Sequence, residues 1–117
     1  SEIKNKFELE DENIVKVLVK EKLKEGIFSE ALDFLRVNPG KDHKTYHHVG
    51  IYAFTSIALT KYVSLKRSKL ELNRKLEQLR AMENGMSIHV GYINSSPLSV
   101  DTEKDLFRIK KLMEKNE

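Results

Sequence analysis

The sequence predicts one small α/β domain, spanning residues 1–117, with a mixed sheet of three to four strands and three helices. The chain has 117 residues, which is enough for one modest domain. Short β-branched runs bounded by turn residues indicate the strands. Longer stretches with a capping residue ahead of apolar periodicity indicate the helices. A sheet this thin is unusual for an open sheet, so the sequence indicates part of a larger fold or half of a dimer.

The first third of the chain predicts one strand between two irregular segments. Residues 1–12 are densely charged and are expected to be frayed or loosely helical. Residues 14–19 form a β-branched run broken only by Lys16, which is typical of a strand. The stretch IFSEALDFLR, residues 27–36, fits either a strand and loop or one short helix, because periodicity alone does not separate them. The following Pro39-Gly40 marks a loop.

The central part predicts a strand and two helices. VGIYAF, residues 49–54, reads as the second strand, and Gly50 within it suggests a bulge or a close backbone approach. Thr55 or Ser56 can cap a helix over 56–64, and Ser68 can cap a longer helix over 69–84. This longer helix is expected to turn an apolar stripe toward the core, formed by Leu72, Leu76 and Leu79. Its end is indicated by Asn84-Gly85.

The last part predicts a third strand and a closing helix. SIHVGYI, residues 87–93, contains the strand expected at 87–92. Asp101 or Thr102 precedes an acidic first turn, and lysines come late, so a helix over 102–115 has charges that complement its dipole.

Composition narrows the function classes. The net charge is +3, with both signs mixed along the chain, which does not indicate a nucleic-acid partner. There is no cysteine, which excludes disulfides and cysteine metal sites and fits a reducing compartment. No apolar run approaches a membrane span, and the first residues lack the apolar core of a signal peptide. We therefore expect a cytoplasmic protein without a membrane partner.

The histidine pair His47-His48 is the first candidate for chemistry. Adjacent residues on a strand face opposite sides, so the two cannot jointly bind one metal. A zinc site would need His43 or His89 and carboxylates to converge, and no spacing requires this. The sequence has no P-loop, no GxSxG and no glycine-rich fingerprint, so no residue is predicted to be catalytic.

Four motifs in series resemble the C-terminal half of the 3-deoxy-manno-octulosonate (Kdo) cytidylyltransferases. They are NIVKVL with IFSEA, then HHVGIYAF, then LEQLRAMENGMSIHV, then VDTEKDLFRIKKL. The order and spacing agree with the family from about Asn13 to the end of the chain. The resemblance implies part of a nucleotide-diphospho-sugar-transferase-like fold. It also implies a reaction in which CTP and Kdo give CMP-Kdo and pyrophosphate for lipopolysaccharide synthesis, with Mg²⁺ as the cofactor.

The resemblance also implies roles for single residues. His48 and Tyr52 match the sugar-acid pocket, while Glu77 and Gln78 match groups that hydrogen-bond sugar hydroxyls. Asp101 matches a magnesium ligand. Ordinary structural roles remain open for four of them: a strand-edge histidine for His48, core packing for Tyr52, a surface pair with Arg74 or Arg80 for Glu77, and a helix cap for Asp101.

Three departures from the family pattern bear on activity. Glu30 and Thr55 stand where the family has arginines, and a carboxylate at such a position repels an anionic substrate. The family's cytidine- and triphosphate-binding segments have no counterpart in the sequence. We therefore expect an inactive, homodimeric portion of such an enzyme. The alternatives are a non-catalytic dimerisation module derived from one, or an unrelated small binding domain with a basic surface.

Overall fold

The computed structural model describes residues 1–40, 44–94 and 100–116. Within these ranges the chain forms five helices and four strands. In chain order they are α1 (Lys6–Glu10), β1 (Lys16–Val19), β2 (Ser29–Leu35), β3 (Thr45–His47), α2 (Ser56–Ser64), α3 (Lys69–Arg74), α4 (Gln78–Glu83), β4 (His89–Val90) and α5 (Glu103–Lys115). The α/β class and the strand number are as predicted, but the helices number five, not three.

The four strands lie in the order β3-β1-β2-β4, and each neighbouring pair is antiparallel. The expectation of a mixed sheet is therefore wrong for the described strands. Residues 20–28, which connect β1 to β2, are too few for the helical crossover that a parallel pair needs, so these two neighbours pair antiparallel. The stretch 27–36, for which the sequence left two possibilities open, forms the central strand β2.

A β-bulge in β2 allows one odd-numbered and one even-numbered residue of this strand to face the same core. Leu18 pairs with Asp33, but the next residue, Val19, pairs with Ala31, so the register shifts by one residue. As a result Ala31 and Phe34 are both buried, although strict alternation would place them on opposite faces. This shift also explains why the periodicity of the segment was ambiguous.

The core lies between one face of this sheet and the turn-helix segment α3–α4. Its fully buried members are Val17, Val19, Leu23, Ala31, Phe34, Tyr46, Leu76 and Leu79. Of the predicted helical stripe, Leu76 and Leu79 are buried as expected, whereas Leu72 is 55% exposed. Gly91 permits close packing beside β4, because a Cβ there would lie 2.7 Å from the Phe28 ring.

Two basic side chains join the sheet to its surroundings through backbone carbonyls. Lys16 is fully buried, and its ammonium donates to the carbonyls of Asp11 at 2.6 Å and Arg36 at 2.5 Å. Burial lowers the pKa of Lys16. The Arg36 guanidinium in turn donates to the carbonyls of Glu12, Arg74 and Lys75. These contacts hold the end of β2 against both the first loop and the end of α3.

The predicted strand over 49–54 does not form. Pairing to β1 ends at His47, and the chain then makes a tight turn in which the Ile51 N–H donates to the Val49 carbonyl at 2.8 Å. β1 already has β2 on one side and β3 on the other, so this β-branched run has no free edge of β1 to join. The third predicted strand, 87–92, is reduced to the two residues of β4.

The predicted helix caps agree with the structure better than the predicted helix lengths do. α2 has the predicted bounds and is capped by the Thr55 hydroxyl, and α5 begins after Thr102 in a capping box. The helix predicted over 69–84 is instead broken at Lys75, which is left-handed at φ 57°. Gly85, at φ 80°, follows α4 where the sequence indicated the end. α1 forms in the segment expected to be frayed or loosely helical, and Asn5 caps it.

Among the described residues, none of the helices has both the length and the apolar character that crossing a membrane requires.

Candidate functional site

His48 and Tyr52 form a hydrogen-bonded pair beside the edge of the core. The Tyr52 hydroxyl lies 2.6 Å from His48 Nε2, so the two groups form a hydrogen bond whose donor depends on the histidine tautomer. His48 also packs edge-on against the buried Phe34 ring, with centroids 5.2 Å apart. The pair sits just past β3, because the turn at Val49–Ile51 brings Tyr52 back toward the histidine ring.

The environment keeps both groups neutral near pH 7. Burial, aided by the neighbouring His47 and the Ser1 ammonium, lowers the pKa of His48 to about 4. Burial also raises the pKa of Tyr52 above its ordinary value, with Tyr62 and Glu77 adding to the effect. A neutral imidazole and a protonated phenol offer hydrogen bonds without a fixed charge.

Tyr62 and Glu77 are joined to each other and act electrostatically on Tyr52. The Tyr62 hydroxyl donates to the Glu77 carbonyl at 3.2 Å, which ties α2 to the start of α4. The carboxylate of Glu77 influences the pKa values of both Tyr52 and Tyr62. Glu77 is exposed. A role for Glu77 in sugar binding stays a prediction.

A buried ion pair between Glu71 and Arg80 lies beside Tyr62. Glu71 is 5% exposed, and its carboxylate accepts from Arg80 Nε at 2.9 Å and Nη2 at 2.5 Å. The hydrogen bond from Arg80 lowers the pKa of Glu71. The Arg80 guanidinium also lies over the Tyr62 ring, 5.1 Å from its centroid. Glu71 thus joins α3 to α4, and Arg80 extends the link to α2.

Gln78, the first residue of α4, is the next member of the predicted set. Its Nε2 is buried and has no hydrogen-bond partner among the described residues. A buried amide without a partner costs free energy of about 1–3 kcal/mol. Such a group is a candidate donor to a ligand, and it follows Glu77 directly in the chain.

Asp101 lies apart from this group at the start of α5. It is exposed, and its N–H donates to Asp105 Oδ2 at 3.3 Å. The helix cap is Thr102, so the alternative role of Asp101 as the cap is wrong. In residues 1–40, 44–94 and 100–116, no group of three or more His, Cys, Asp or Glu side chains is arranged to hold a metal. The prediction of Asp101 as a metal ligand is untested.

Three further predictions concern His43, His89 and a surface pair of Glu77 with an arginine. His43 lies outside the described residues, and His89 is exposed on β4, where it pairs with Glu30. The proposed surface pair of Glu77 with an arginine is not observed, because Arg74 binds Asp33 at 2.8 Å and Arg80 binds Glu71. Sequence reasoning missed the Glu71–Arg80 pair. The S-x-x-E spacing of Ser68 and Glu71 signals the capping box that is found, but it does not reveal the ion pair.

Comparisons with known proteins agree on one class of enzyme. A family model described as cytidylyltransferase matches residues 1–88. A 3-deoxy-manno-octulosonate cytidylyltransferase of Bartonella tribocorum is 43% identical over 114 residues, which cover 97% of this chain and 46% of the relative. One from Bradyrhizobium sp. BTAi1 is 48% identical over 86 residues, covering 73% of this chain and 35% of the relative.

A solved structure gives the same result for the fold. The structure of a CMP:2-keto-3-deoxy-manno-octonic acid synthetase complexed with CTP superposes with a TM-score of 0.74 at 29% identity. The match covers 92% of this chain and 44% of that chain. The chain therefore spans less than half the length of the curated relatives and of the solved structure that it matches.

Proposed function

The chain belongs to the cytidylyltransferase family, and from this membership we propose that it forms the sugar-acid-binding half of a Kdo cytidylyltransferase. The observation that supports this most is the hydrogen bond between the Tyr52 hydroxyl and His48 Nε2, 2.6 Å long, because both residues match the family's sugar-acid pocket. Glu77 and Gln78 belong to the proposal through the same resemblance. Relatives at 43% and 48% identity carry the same enzyme name.

In the whole enzyme, the anomeric oxygen of the sugar acid attacks the α-phosphorus of CTP. The new P–O bond replaces the bond to the leaving pyrophosphate, and the sugar hydroxyl loses its proton. The role of this chain is to orient the sugar acid. The His48–Tyr52 pair supplies neutral hydrogen-bonding groups, Glu77 accepts from hydroxyls, and the unpaired Gln78 Nε2 donates to one.

Magnesium is part of the proposal only for the whole enzyme. Mg²⁺ sites of this kind use one or two protein carboxylates with substrate phosphates and water. Asp101 supplies one exposed carboxylate, and the described residues contain no group of three or more His, Cys, Asp or Glu that could hold a metal. The described residues do not make a magnesium site by themselves, so no step is derived through the metal.

Two features bear on substrate choice. Glu30 is exposed on β2 where the family has an arginine, and Thr55 caps α2 where a second arginine is expected. Neither residue can pair with a sugar carboxylate. The proposed substrate is thus a Kdo-like sugar acid whose carboxylate is met by another part of the enzyme.

The proposal includes a homodimer and a cytoplasmic location. None of the residues of α2 is buried, and the side chains of Ile57 and Val63 on it are mostly exposed. This supports a second candidate function as a non-catalytic dimerisation module. The lack of cysteine fits a reducing compartment.

An NMR titration of the chain with Kdo tests the sugar-binding role. We expect shifts in the His48 ring and the Gln78 side-chain amide, while the exposed His89 serves as an internal control. Tyr52→Phe should weaken binding without unfolding the chain, since it removes one hydroxyl. Equal shifts at His48 and His89, or none at high concentrations of Kdo, would count against the proposed role and favour the dimerisation module.

A further inference from the structure

Tyr62 joins helix α2 to the start of helix α4 through its hydroxyl, which donates to the Glu77 carbonyl at 3.2 Å. Two further contacts hold its ring. The Arg80 guanidinium lies 5.1 Å from the ring centroid, and the Phe54 ring centroid lies 5.7 Å away. A ring that packs against both a cation and a second ring has less freedom to move, so these contacts help to fix the direction of the hydroxyl.

The start of α4 depends on such support from outside the helix. The helix has six residues, and helices this short are marginal by themselves in water. Among the described residues, Glu77, at the N-cap position, makes no side-chain capping hydrogen bond to the first turn. A helix start without a cap is prone to fraying. The bond from Tyr62 therefore stabilises the chain at the point where Glu77 leads into Gln78.

Gln78 lies between anchored neighbours on both sides. Tyr62 holds the residue before it, and the two residues after it are held as well. Leu79 is 1% exposed in the core, and Arg80 is paired with the buried Glu71 carboxylate. The Gln78 Nε2 is itself buried without a hydrogen-bond partner among the described residues. An amide with no bond of its own to fix it takes its position from the segment that carries it.

We infer that Tyr62 is a positioning residue for Gln78: its hydroxyl holds the Glu77 carbonyl and so fixes the first turn of α4, from which the Gln78 amide extends. The inference rests on the proposed function, in which this amide donates to a sugar hydroxyl. Tyr62 acts on the sugar only through Gln78. A donor that is held in place before binding costs less entropy to order when the sugar arrives, so the hydroxyl of Tyr62 contributes to sugar affinity.

The first test needs no sugar. Nitrogen relaxation measured by NMR gives the order parameter of the Gln78 side-chain amide in the natural chain and in two variants. Tyr62→Phe keeps the ring and removes the hydroxyl. Thr60→Val is the matched control, because it removes from the same helix a hydroxyl that donates to the Ser56 carbonyl within α2. Tyr62 is only half-buried, so Tyr62→Phe should melt within a few degrees of the natural chain.

We expect the order parameter to fall below about 0.6, the range of flexible groups, in Tyr62→Phe and to stay unchanged in Thr60→Val. An unchanged value in Tyr62→Phe, or an equal fall in both variants, would overturn the inference.

The second test is a double-mutant cycle on Kdo binding, followed by NMR titration at the His48 ring. In the natural background, Tyr62→Phe should raise the Kd for Kdo about fivefold, which is the size of effect expected for one neutral hydrogen bond. In the Gln78→Leu background, which lacks the amide, adding Tyr62→Phe should change the Kd by less than about twofold. A merely structural role for Tyr62 would weaken binding equally in both backgrounds, and that result would overturn the inference.

The two tests separate this inference from the proposed function. If the natural chain does not bind Kdo, the sugar-binding role is contradicted, and the order parameter of the Gln78 amide still decides whether Tyr62 positions it. If Kdo binds and Tyr62→Phe has the same effect with and without the Gln78 amide, the sugar-binding role stands and the positioning role is wrong.

Discussion

At the scale of single residues, the candidate site combines neutral hydrogen-bonding groups with a rigid ionic support. Burial keeps His48 neutral, Tyr52 is a neutral phenol, and Glu71 and Arg80 form an ion pair. A sugar acid presents hydroxyls and one carboxylate, and neutral donors can serve both without attracting unrelated anions. The distinction between the two pairs leads to two predictions.

The first prediction concerns pH. The folded pKa of His48 is about 4, below the roughly 6.5 of an unfolded histidine, so the unfolded chain binds more protons between these values. Stability from this group is therefore complete above pH 6.5 and is lost as the pH falls toward 4, by up to about 3 kcal/mol. Urea unfolding at several pH values measures this. His48→Gln should reduce this dependence on pH, and a part should remain because burial also lowers the pKa of His47. Identical slopes for the natural chain and His48→Gln would show that the histidine is not buried.

The second prediction concerns the buried ion pair. Arg80→Met leaves the Glu71 carboxylate buried without its partner, which should destabilise the chain by about 3–5 kcal/mol. The double variant Glu71→Met/Arg80→Met should cost much less, because no charge stays buried. Arg108→Met on the exposed side of α5 is the control and should be nearly neutral. Chemical denaturation gives the values. Single and double variants of equal cost would contradict the geometry.

At the scale of elements, the break between α3 and α4 sets the position of Glu77 and Gln78. Lys75 adopts the left-handed conformation, and its N–H bonds the Glu71 carbonyl, so α3 ends there. α4 begins at Gln78, three residues after this break. In a continuous helix over 69–84, the Glu77 carbonyl would have a different position relative to the Tyr62 hydroxyl that donates to it.

The third prediction follows from this conformation. Lys75→Gly should stabilise the chain by about 1 kcal/mol, because glycine adopts a positive φ without steric cost. Lys75→Val should destabilise it, since a β-branched residue is poorly accommodated there. Lys69→Gly, in the helical first turn of α3, is the matched control and should cost up to about 1 kcal/mol. Thermal melting separates the three. A loss of stability in Lys75→Gly would mean that the helix is continuous in solution.

The elements also show what the sequence can predict. α2 and α5 were predicted closely because Thr55, Thr102 and the apolar spacing are local signals. The break at Lys75 was missed because lysine gives no sign of a left-handed residue. Residues 49–54 were assigned to a strand by composition, whereas strand formation depends on a free partner edge, which only the whole sheet defines.

The candidate site was predictable only in part for the same reason. His48, Tyr52, Glu77 and Gln78 come from motif resemblance, and the structure shows a direct contact between the first two. The supporting Glu71–Arg80 pair spans nine residues and two helices. Helical spacing favours partners three or four residues apart, so it predicts a pair of Glu77 with Arg74 or Arg80 and not the pair of Glu71 with Arg80.

At the scale of the whole molecule, the described residues pack a core against one face of the sheet and leave many large apolar side chains exposed. α2 and α5 bury no residue, although both carry large apolar side chains. The relatives are about twice as long, and two predictions concern what this chain does when tested alone.

The fourth prediction is that the chain is a homodimer in solution. The exposed side chains of Ile57 and Val63 on α2 favour self-association, because contiguous apolar patches are rarely left open to water. Light scattering should give twice the monomer mass of 13.6 kDa. Ile57→Gln/Val63→Gln should shift the mass toward the monomer, whereas Lys61→Gln should not. A monomer at all concentrations would contradict the prediction.

The fifth prediction is that this chain alone neither binds CTP-magnesium tightly nor releases pyrophosphate. CTP carries roughly four negative charges, which such enzymes meet with metal and clustered cations. The groups near the site include Glu77 and the neutral His48, and Arg80 is already paired with Glu71. Titration calorimetry with CTP and Mg²⁺, together with a pyrophosphate assay, provides the check. Micromolar binding, or turnover abolished by Asp101→Asn, would refute it.

The Arg36 contacts described above also bear on the order in which the chain folds. One guanidinium joins carbonyls 24, 38 and 39 residues away in sequence. These three bonds cannot form until the first loop, β2 and α3 have all come together. We expect contacts that join three distant segments to form after the transition state, so that they slow unfolding more than they speed folding. The Arg36 side chain is therefore expected to lengthen the lifetime of the folded chain.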